Sequence, residues 1–297
     1  MKVIMYHYVR PKSKNNGNLR YLTIDQFNRQ LDYFEKNFGF LSPEEFKYNM
    51  DNKISTEKVL LTFDDGLIDH FKYVFQILKE RELKGFFFIP TSIFDSKVLN
   101  VHKTHFLLKN YNSKKIHSLI IELINNLEFK FEKKHANASI YKFSKHEEFE
   151  FEVKKLLNYI LDFKSSEFLL KKIFQTLNLE EKDLNDIYLN EHQLNEMYKE
   201  GQVFGSHTVN HKILSSLNYK NQKEEITKSF QRLNNYINPL IKTISYPFGY
   251  EFTYDISTLK VLDEEKVSFG FIFDNKENKG FHKYEISRED CNKYLDK

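Results

Sequence analysis

Val59-Leu60-Leu61-Thr62-Phe63-Asp64-Asp65-Gly66 is the stretch whose reading decides the fold. A β-branched and apolar run that closes in two carboxylates and a glycine reads as a central strand delivering polar groups at its carboxyl end. Parallel α/β folds build their sites at that end. Working outward, Ile68 to about Arg81 predicts a helix and Gly85 to Ile89 the next strand. Strand, helix, strand argues for a parallel sheet or barrel. Upstream, Lys2 to Tyr6 reads as a short buried strand, and Thr23-Ile24-Asp25-Gln26 has capping-box form ahead of an amphipathic helix carrying Phe27, Leu31 and Phe34. Ser42-Pro43-Glu44-Glu45 starts a second helix with Pro at its first position.

From about 95 to 200 the pattern changes to Lys, Glu, Leu and Phe with no Pro or Gly, and with helical spacing such as Leu156, Ile160 and Phe163. Its apolar content is too high for a disordered linker. The α/β rhythm returns with a strand at Gln202 to Gly205, a helix at Asn221 to Tyr236, a strand at Thr243 to Tyr246 and a late strand at Val267 to Phe273. The expectation is one α/β domain over 1–297 with a helical insertion at 95–200.

Lys and Arg number 45 against 42 Asp and Glu, a formal charge of +3 with the signs interleaved. Bulk charge therefore gives no indication of nucleic-acid or acidic-membrane binding. The single cysteine, Cys291, excludes an internal disulfide. His7 and Arg10 interrupt the first residues before a signal-peptide apolar region develops, and no stretch has the apolar length of a membrane helix. The expected location is cytoplasmic. Oligomeric state is not legible.

Downstream, Ser206-His207-Thr208-Val209-Asn210-His211 places two imidazoles at i, i+4, a spacing that puts both rings on one face of a helical turn. Alone, such a pair is often a surface coincidence, and Asp-Asp-Gly is a common turn. Together they form a metal-ligand inventory: two nitrogens, one carboxylate to bind a divalent ion, and a neighbouring carboxylate to accept a proton. A cation also relieves the repulsion between adjacent carboxylates. This is the equipment of a metal-assisted hydrolase. Two imidazoles and a carboxylate suit Zn²⁺, and the same set accepts Co²⁺, Ni²⁺, Fe²⁺ or Mn²⁺.

Thr62-Phe63-Asp64-Asp65-Gly66 and His207-Thr208-Val209-Asn210-His211 resemble the first two motifs of the polysaccharide deacetylases, the NodB-homology family of carbohydrate esterases (family 4), and Tyr246-Pro247-Phe248-Gly249 resembles the third. Met5-Tyr6-His7-Tyr8-Val9 and Tyr21 to Phe27 also resemble the start of many members. The resemblance covers about 1–95 and 200–290. It implies a distorted (β/α) barrel, with Asp64 as general base and Asp65, His207 and His211 as metal ligands. It also implies removal of an acetyl group from an N-acetylated carbohydrate: a metal-activated water attacks the acyl carbon, and the metal with a backbone N–H of the third motif, that of Phe248, stabilises the oxyanion. Tyr246, Pro247 and Phe248 would line the substrate. The alternatives are hydrolysis of a non-sugar amide on the same fold, or a non-catalytic glycan-binding relative. The absence of an export signal leans the substrate toward a cytoplasmic precursor of surface polysaccharide.

The sequence departs from the family pattern in two places. Many members carry an arginine in the third motif to orient the catalytic Asp, where this chain reads Lys242-Thr243-Ile244-Ser245. Arg288, at the end of the last strand, is the candidate replacement, against a plain surface arginine. A late Leu-x-His element that protonates the leaving amine has no clean counterpart. His282 and His7 are the candidates for that task, or a water or the recycled Asp64 takes it. His102 and His105, within 95–200, read as a helix face near the site mouth or as solvated residues.

Overall fold

Seven short parallel strands carry the site: β1 (Lys2–Tyr6), β4 (Val59–Asp64), β5 (Gly85–Ile89), β6 (Val203–Ser206), β7 (Thr243–Ser245), β8 (Phe269–Phe273) and β9 (Ile286–Asp290), with β2 (Val9–Arg10) and β3 (Leu22–Thr23) pairing separately. In this computed structural model, which describes residues 1–126, 148–184, 186–239, 241–274, 278 and 281–297, the seven close into a barrel in the order β1-β4-β5-β6-β7-β8-β9. Closure runs through β1, which pairs Met5 with Thr62 on one side and Ile4 with Glu289 on the other. This is the (β/α) barrel that the strand, helix, strand rhythm and the motifs imply. The helix after β4 begins as a π-type turn, His70–Val74, and continues through Phe75–Glu80.

Every residue of β4 is buried. Because side chains alternate along a strand, Leu60, Thr62 and Asp64 share one face, as do Phe86 with Phe88, Phe269 with Phe271, and Ile286 with Arg288. Val3, Leu60, Phe86, Phe88, Phe269, Phe271 and Ile286 form one apolar cluster. Phe46, from helix Pro43–Asn52, packs its ring 5.4 Å from Phe86 and 5.0 Å from Phe269. Both contacts lie at the amino-terminal ends of β5 and β8. Apolar rings therefore fill one end of the barrel, and the polar residues Asp64, Ser245 and Arg288 gather toward the other.

The cap predicted at Thr23 forms in both halves: its amide donates to Gln26 Oε1 at 2.9 Å and its Oγ1 accepts from the Gln26 amide at 3.2 Å. The helix it opens, Ile24–Asn37, buries Phe27, Leu31 and Phe34. No helix among the described residues is long and apolar enough to cross a membrane.

The chain divides into two compact units. One comprises Met1–Lys12, Tyr21–Ser96 and Asp186–Lys297, and the other Ser13–Arg20 and Lys97–Asn185. The second unit is helical, with Asn100–Asn110, Ser113–Asn126, Glu148–Lys155 and Phe163–Thr176. Residues 127–147 and 185, part of the stretch read as inserted helices, lie outside the described residues, and helix Glu191–Lys199 falls in the barrel unit. The stripe Leu156, Ile160, Phe163 spans two helices. A π-type turn ends at Ile160, Leu161 is extended, and Asp162 caps the next helix by accepting from the Lys164 amide at 2.8 Å.

Gly205 shows how tightly the barrel is filled. A Cβ there would stand 2.7 Å from the Thr243 carbonyl oxygen and 2.8 Å from Phe88 Cδ1, and closer still to Thr243 Oγ1. Two of those neighbours are backbone or a short side chain that cannot swing away. Gly205→Ala should cost about 1–3 kcal/mol of stability by overpacking, read as a lower denaturation midpoint in urea; an unchanged midpoint would show that the barrel can expand at β6.

Candidate active site

β4 delivers Asp64 on its last residue, and the chain then turns through two left-handed positions, Asp65 at φ 78° and Gly66 at φ 61°. The reversal turns the second carboxylate off the strand's alternation. The backbone at Gly66, with φ 61°, favours glycine, and a Cβ there would also displace the tip of Ile93, whose Cδ1 would stand 2.8 Å away.

His207 and His211 share a face, though no helix puts them there. His207 follows the end of β6, residues 208–210 form a turn, and Thr208 and His211 adopt φ of 63° and 55°. A β-branched residue in the left-handed region is strained, and the surroundings hold it. Thr208 donates its amide to Ser206 Oγ at 3.0 Å and accepts from the His211 amide on Oγ1 at 3.1 Å. The amides of Thr91 and Ser92 donate to the carbonyls of Thr208 and Val209 at 3.1 and 3.0 Å. Glu225 closes the turn from below: its carboxylate accepts the Val209 and Asn210 amides at 3.1 and 2.8 Å and Asn210 Nδ2 at 2.8 Å, and pairs with Lys212 at 2.8 Å.

Asp65, His207 and His211 converge, with all three ligand atoms within 4.8 Å of one another. Asp65 Oδ1 lies 3.5 Å from Nε2 of each histidine. The His207 ring places Nδ1 2.7 Å from the Ser245 carbonyl oxygen, so Nδ1 carries the proton and Nε2 turns its lone pair toward Asp65. Burial lowers the His207 pKa and outweighs the raising effect of Asp64 and Asp65, which keeps the ring neutral, as a ligand must be. Two imidazole nitrogens facing one carboxylate oxygen is a donor set that fits a divalent ion of the zinc kind.

Arg288, 1% exposed, forks onto Asp64: Nη1 reaches Oδ1 and Nη2 reaches Oδ2, each at 2.8 Å. Nη2 also donates to Ser245 Oγ at 2.8 Å, and that hydroxyl donates to Asp64 Oδ2 at 3.2 Å. Burial works to raise the Asp64 pKa. The Arg288 charge and hydrogen bonds, with His207, overcome it and hold the carboxyl at about 2. An ordinary unfolded Asp titrates near roughly 3.9. The pair therefore stabilises the folded chain above about pH 4, and that stability is lost as the pH falls through about 2.

His7, predicted to line the site, places Nε2 3.9 Å from Asp65 Oδ2 with its side chain 38% exposed. Its carbonyl accepts from Nε2 of the buried His70 at 2.9 Å. Phe248 packs its ring edge-on against His211 at 4.8 Å and takes φ 64°. Tyr246 lies beside the site only through its backbone, because it follows Ser245 and so faces the other side of the strand. Its phenol is buried and donates to the Tyr284 carbonyl at 2.8 Å. The structure does not bring His282 to this cluster. It is exposed and precedes the start of β9, at the end of the barrel opposite Asp64. His102 belongs to the second unit.

Sequence reasoning passed over Ser245 and Glu225. Glu225 had a signal. Gln222, Glu225 and Ser229 recur at helical spacing beside Ile226, Phe230 and Leu233, and all six are buried in helix Tyr219–Leu233. Polar residues inside an apolar stripe need partners. Ser245 offered no such signal, since a hydroxyl in a β-branched strand reads as filler.

The model of the Polysaccharide deacetylase family matches residues 161–270, which include His207, His211 and the Tyr246 to Gly249 loop but not Asp64, Asp65 or Arg288. Among curated proteins no match is found. Several solved structures share the fold. A Streptococcus pyogenes deacetylase, PplD, in complex with acetate aligns with TM-score 0.59 and 20% identity over 98% of this chain and 91% of its own. IcaB from Ammonifex degensii aligns with TM-score 0.57 and 17% identity over 97% and 90%. A de-N-acetylase from Aggregatibacter actinomycetemcomitans aligns with TM-score 0.59 and 13% identity over 98% and 95%. The family match covers the second and third motifs, and the barrel is one that these solved deacetylase structures share.

Proposed function

We propose that this protein hydrolyses the acetamide of an N-acetylated sugar, releasing acetate and the free amine, with a divalent metal held by Asp65, His207 and His211. The observation that carries the reading is the juxtaposition of two differently prepared carboxylates. Asp65 faces two imidazoles, and Asp64 is locked ionised by Arg288. A general base must be ionised and aimed, and the Arg288 fork with Ser245 does both. When bound, the ion would supply a Lewis acid that polarises the acyl carbonyl and acidifies a water. Asp64 takes the proton of that water. The Phe248 amide serves the developing oxyanion, and its ring covers His211 on the approach to the site. The leaving nitrogen needs a proton, and His7 stands close enough to Asp65 to return one, with Asp64 as the other source. The helical stretch within 95–200 is read as an insertion that tunes the choice of acceptor. Zn²⁺ is the preferred ion on its donor set.

The test is acetate release from a panel of N-acetylhexosamines, free, nucleotide-linked and oligomeric, using chelator-treated protein and protein reloaded with Zn²⁺ or Co²⁺. Acetate should appear only after reloading, and Asp64→Asn should abolish most of it while retaining the metal. A metallated, folded protein inert on the whole panel would defeat the reading.

Glu225→Gln should weaken metal binding about 10–100-fold, measured by competition with a chromophoric chelator, because the ligand turn loses the charge that gathers its amides; equal affinity would reduce Glu225 to a helix-packing residue. Arg288→Met removes the strongest influence opposing burial at Asp64, so the acid limb of kcat/KM should move to higher pH. The variant should also lose roughly 3–5 kcal/mol of stability from the unpaired buried partner. A pH profile that superimposes on the wild type would refute the orienting role.

A further inference from the structure

We infer that Tyr250 and Phe252, on the loop that follows β7, form an aromatic shelf beside the metal cluster that seats a neighbouring, uncharged sugar ring of the substrate; the inference rests on the deacetylase reading above. Phe248, Tyr250 and Phe252 are all partly exposed rings on one loop. The first lies against the ligand His211 at 4.8 Å between ring centroids. The next two form a slipped parallel pair, 5.6 Å between centroids with planes 6° apart. Tyr250 also stands edge-on to Phe273, 5.6 Å away, and Phe273 pairs in register with Arg288 on β9. The rings thus lead from the site outward over the end of β8.

The shelf is held firmly enough to serve as a binding surface. Gly249, at φ 70°, lies so close to β8 that a Cβ would meet the Phe273 amide nitrogen at 2.8 Å, and its carbonyl accepts that amide at 2.7 Å. The Tyr250 carbonyl accepts the Thr253 amide at 2.8 Å and Thr253 Oγ1 at 2.7 Å. Ser215 Oγ donates to the Phe252 carbonyl at 2.5 Å. Backbone bonds on both sides of the ring pair leave little freedom to lose on binding.

The ligand chemistry follows from the rings and from the charge around them. The face of an aromatic ring carries the negative end of its quadrupole and favours the weakly positive C–H face of a pyranose. From Pro247 to Leu259 the chain has no Lys or Arg and carries Glu251 and Asp255. Among the described residues, Arg10 is paired with Asp69, Lys212 with Glu225 and Arg288 with Asp64, each at 2.8 Å. Such a surface suits a neutral N-acetylated sugar neighbour and disfavours a diphosphate.

The experiment compares N-acetylglucosamine, its β-linked oligomers of two to five residues and the nucleotide-diphosphate-linked monosaccharide. Acetate release is followed for wild type, Tyr250→Ala, Phe252→Ala and Tyr250→Phe, and oligomer binding by calorimetry in the Asp64→Asn background. Metal content and the circular dichroism spectrum check the fold of each variant. KM for the oligomers should rise about ten-fold in each alanine variant with a smaller change in kcat, the monosaccharide should be affected far less, and Tyr250→Phe should restore affinity, since the ring and not the hydroxyl does the seating. Wild-type enzyme that releases acetate while both alanine variants bind and turn over the oligomers as well as it does would overturn the shelf and leave the deacetylase reading standing. A preference for the diphosphate-linked sugar would overturn it too. Absence of acetate from every substrate with metallated wild type would remove the deacetylase reading and the subsite with it.

Discussion

A guanidinium sealed inside a barrel has to be answered, and the answer shapes this site. Arg288 cannot shed its charge, and at 1% exposure it cannot borrow water to disperse it. The fork onto Asp64 supplies a full counter-charge with matched geometry, a second Nη2 hydrogen goes to Ser245 Oγ, and Nε donates to the Ile272 carbonyl at 3.3 Å. Two consequences follow from that constraint. The Asp64 carboxylate is fixed in rotation because both of its oxygens are engaged. It is also kept ionised in a place where burial alone would favour protonation. Ser245 then links this pair to the histidines, since its carbonyl receives the His207 ring at 2.7 Å and so selects the tautomer that turns Nε2 toward Asp65.

The barrel was legible because each of its signals is local. A buried run ending in Asp-Asp-Gly, a capping box at Thr23 and a proline at the start of helix Pro43–Asn52 are short patterns whose physics does not need the rest of the chain. Arg288, expected at the end of the last strand, lies at the middle of β9 and reaches Asp64 from the face it shares with Ile286. The histidine turn could not be read correctly, because an i, i+4 spacing is satisfied equally by a helix and by a turn with two left-handed residues. What selects the turn is Glu225, on a helix that starts after the turn has ended, together with the amides of Thr91 and Ser92 arriving from the end of β5. Those partners are distant in sequence. Tyr246 misled for a simpler reason: strand alternation sends Ser245 to the site and Tyr246 to the opposite face, and a motif read as a string does not record faces.

Backbone strain marks the same places. Asp65, Thr208, His211 and Phe248 are all non-glycine residues with left-handed φ, and each lies at a strand-end turn facing the cluster. Strain of this kind persists only where surrounding bonds over-determine the conformation, and Glu225, Ser206, Gly66 and Gly249 supply those bonds and clearances. The site is therefore built from two separately supported halves. The histidine turn rests on helix Tyr219–Leu233 through Glu225, and Asp64 rests on β9 through Arg288. A change in one support loosens the histidine turn without unpairing Asp64, and a change in the other does the reverse. Ser245 is the point where the halves meet, because its hydroxyl serves the base pair and its carbonyl serves His207. A single small residue on a three-residue strand thus sets the alignment between the Asp64–Arg288 pair and the cluster of Asp65, His207 and His211.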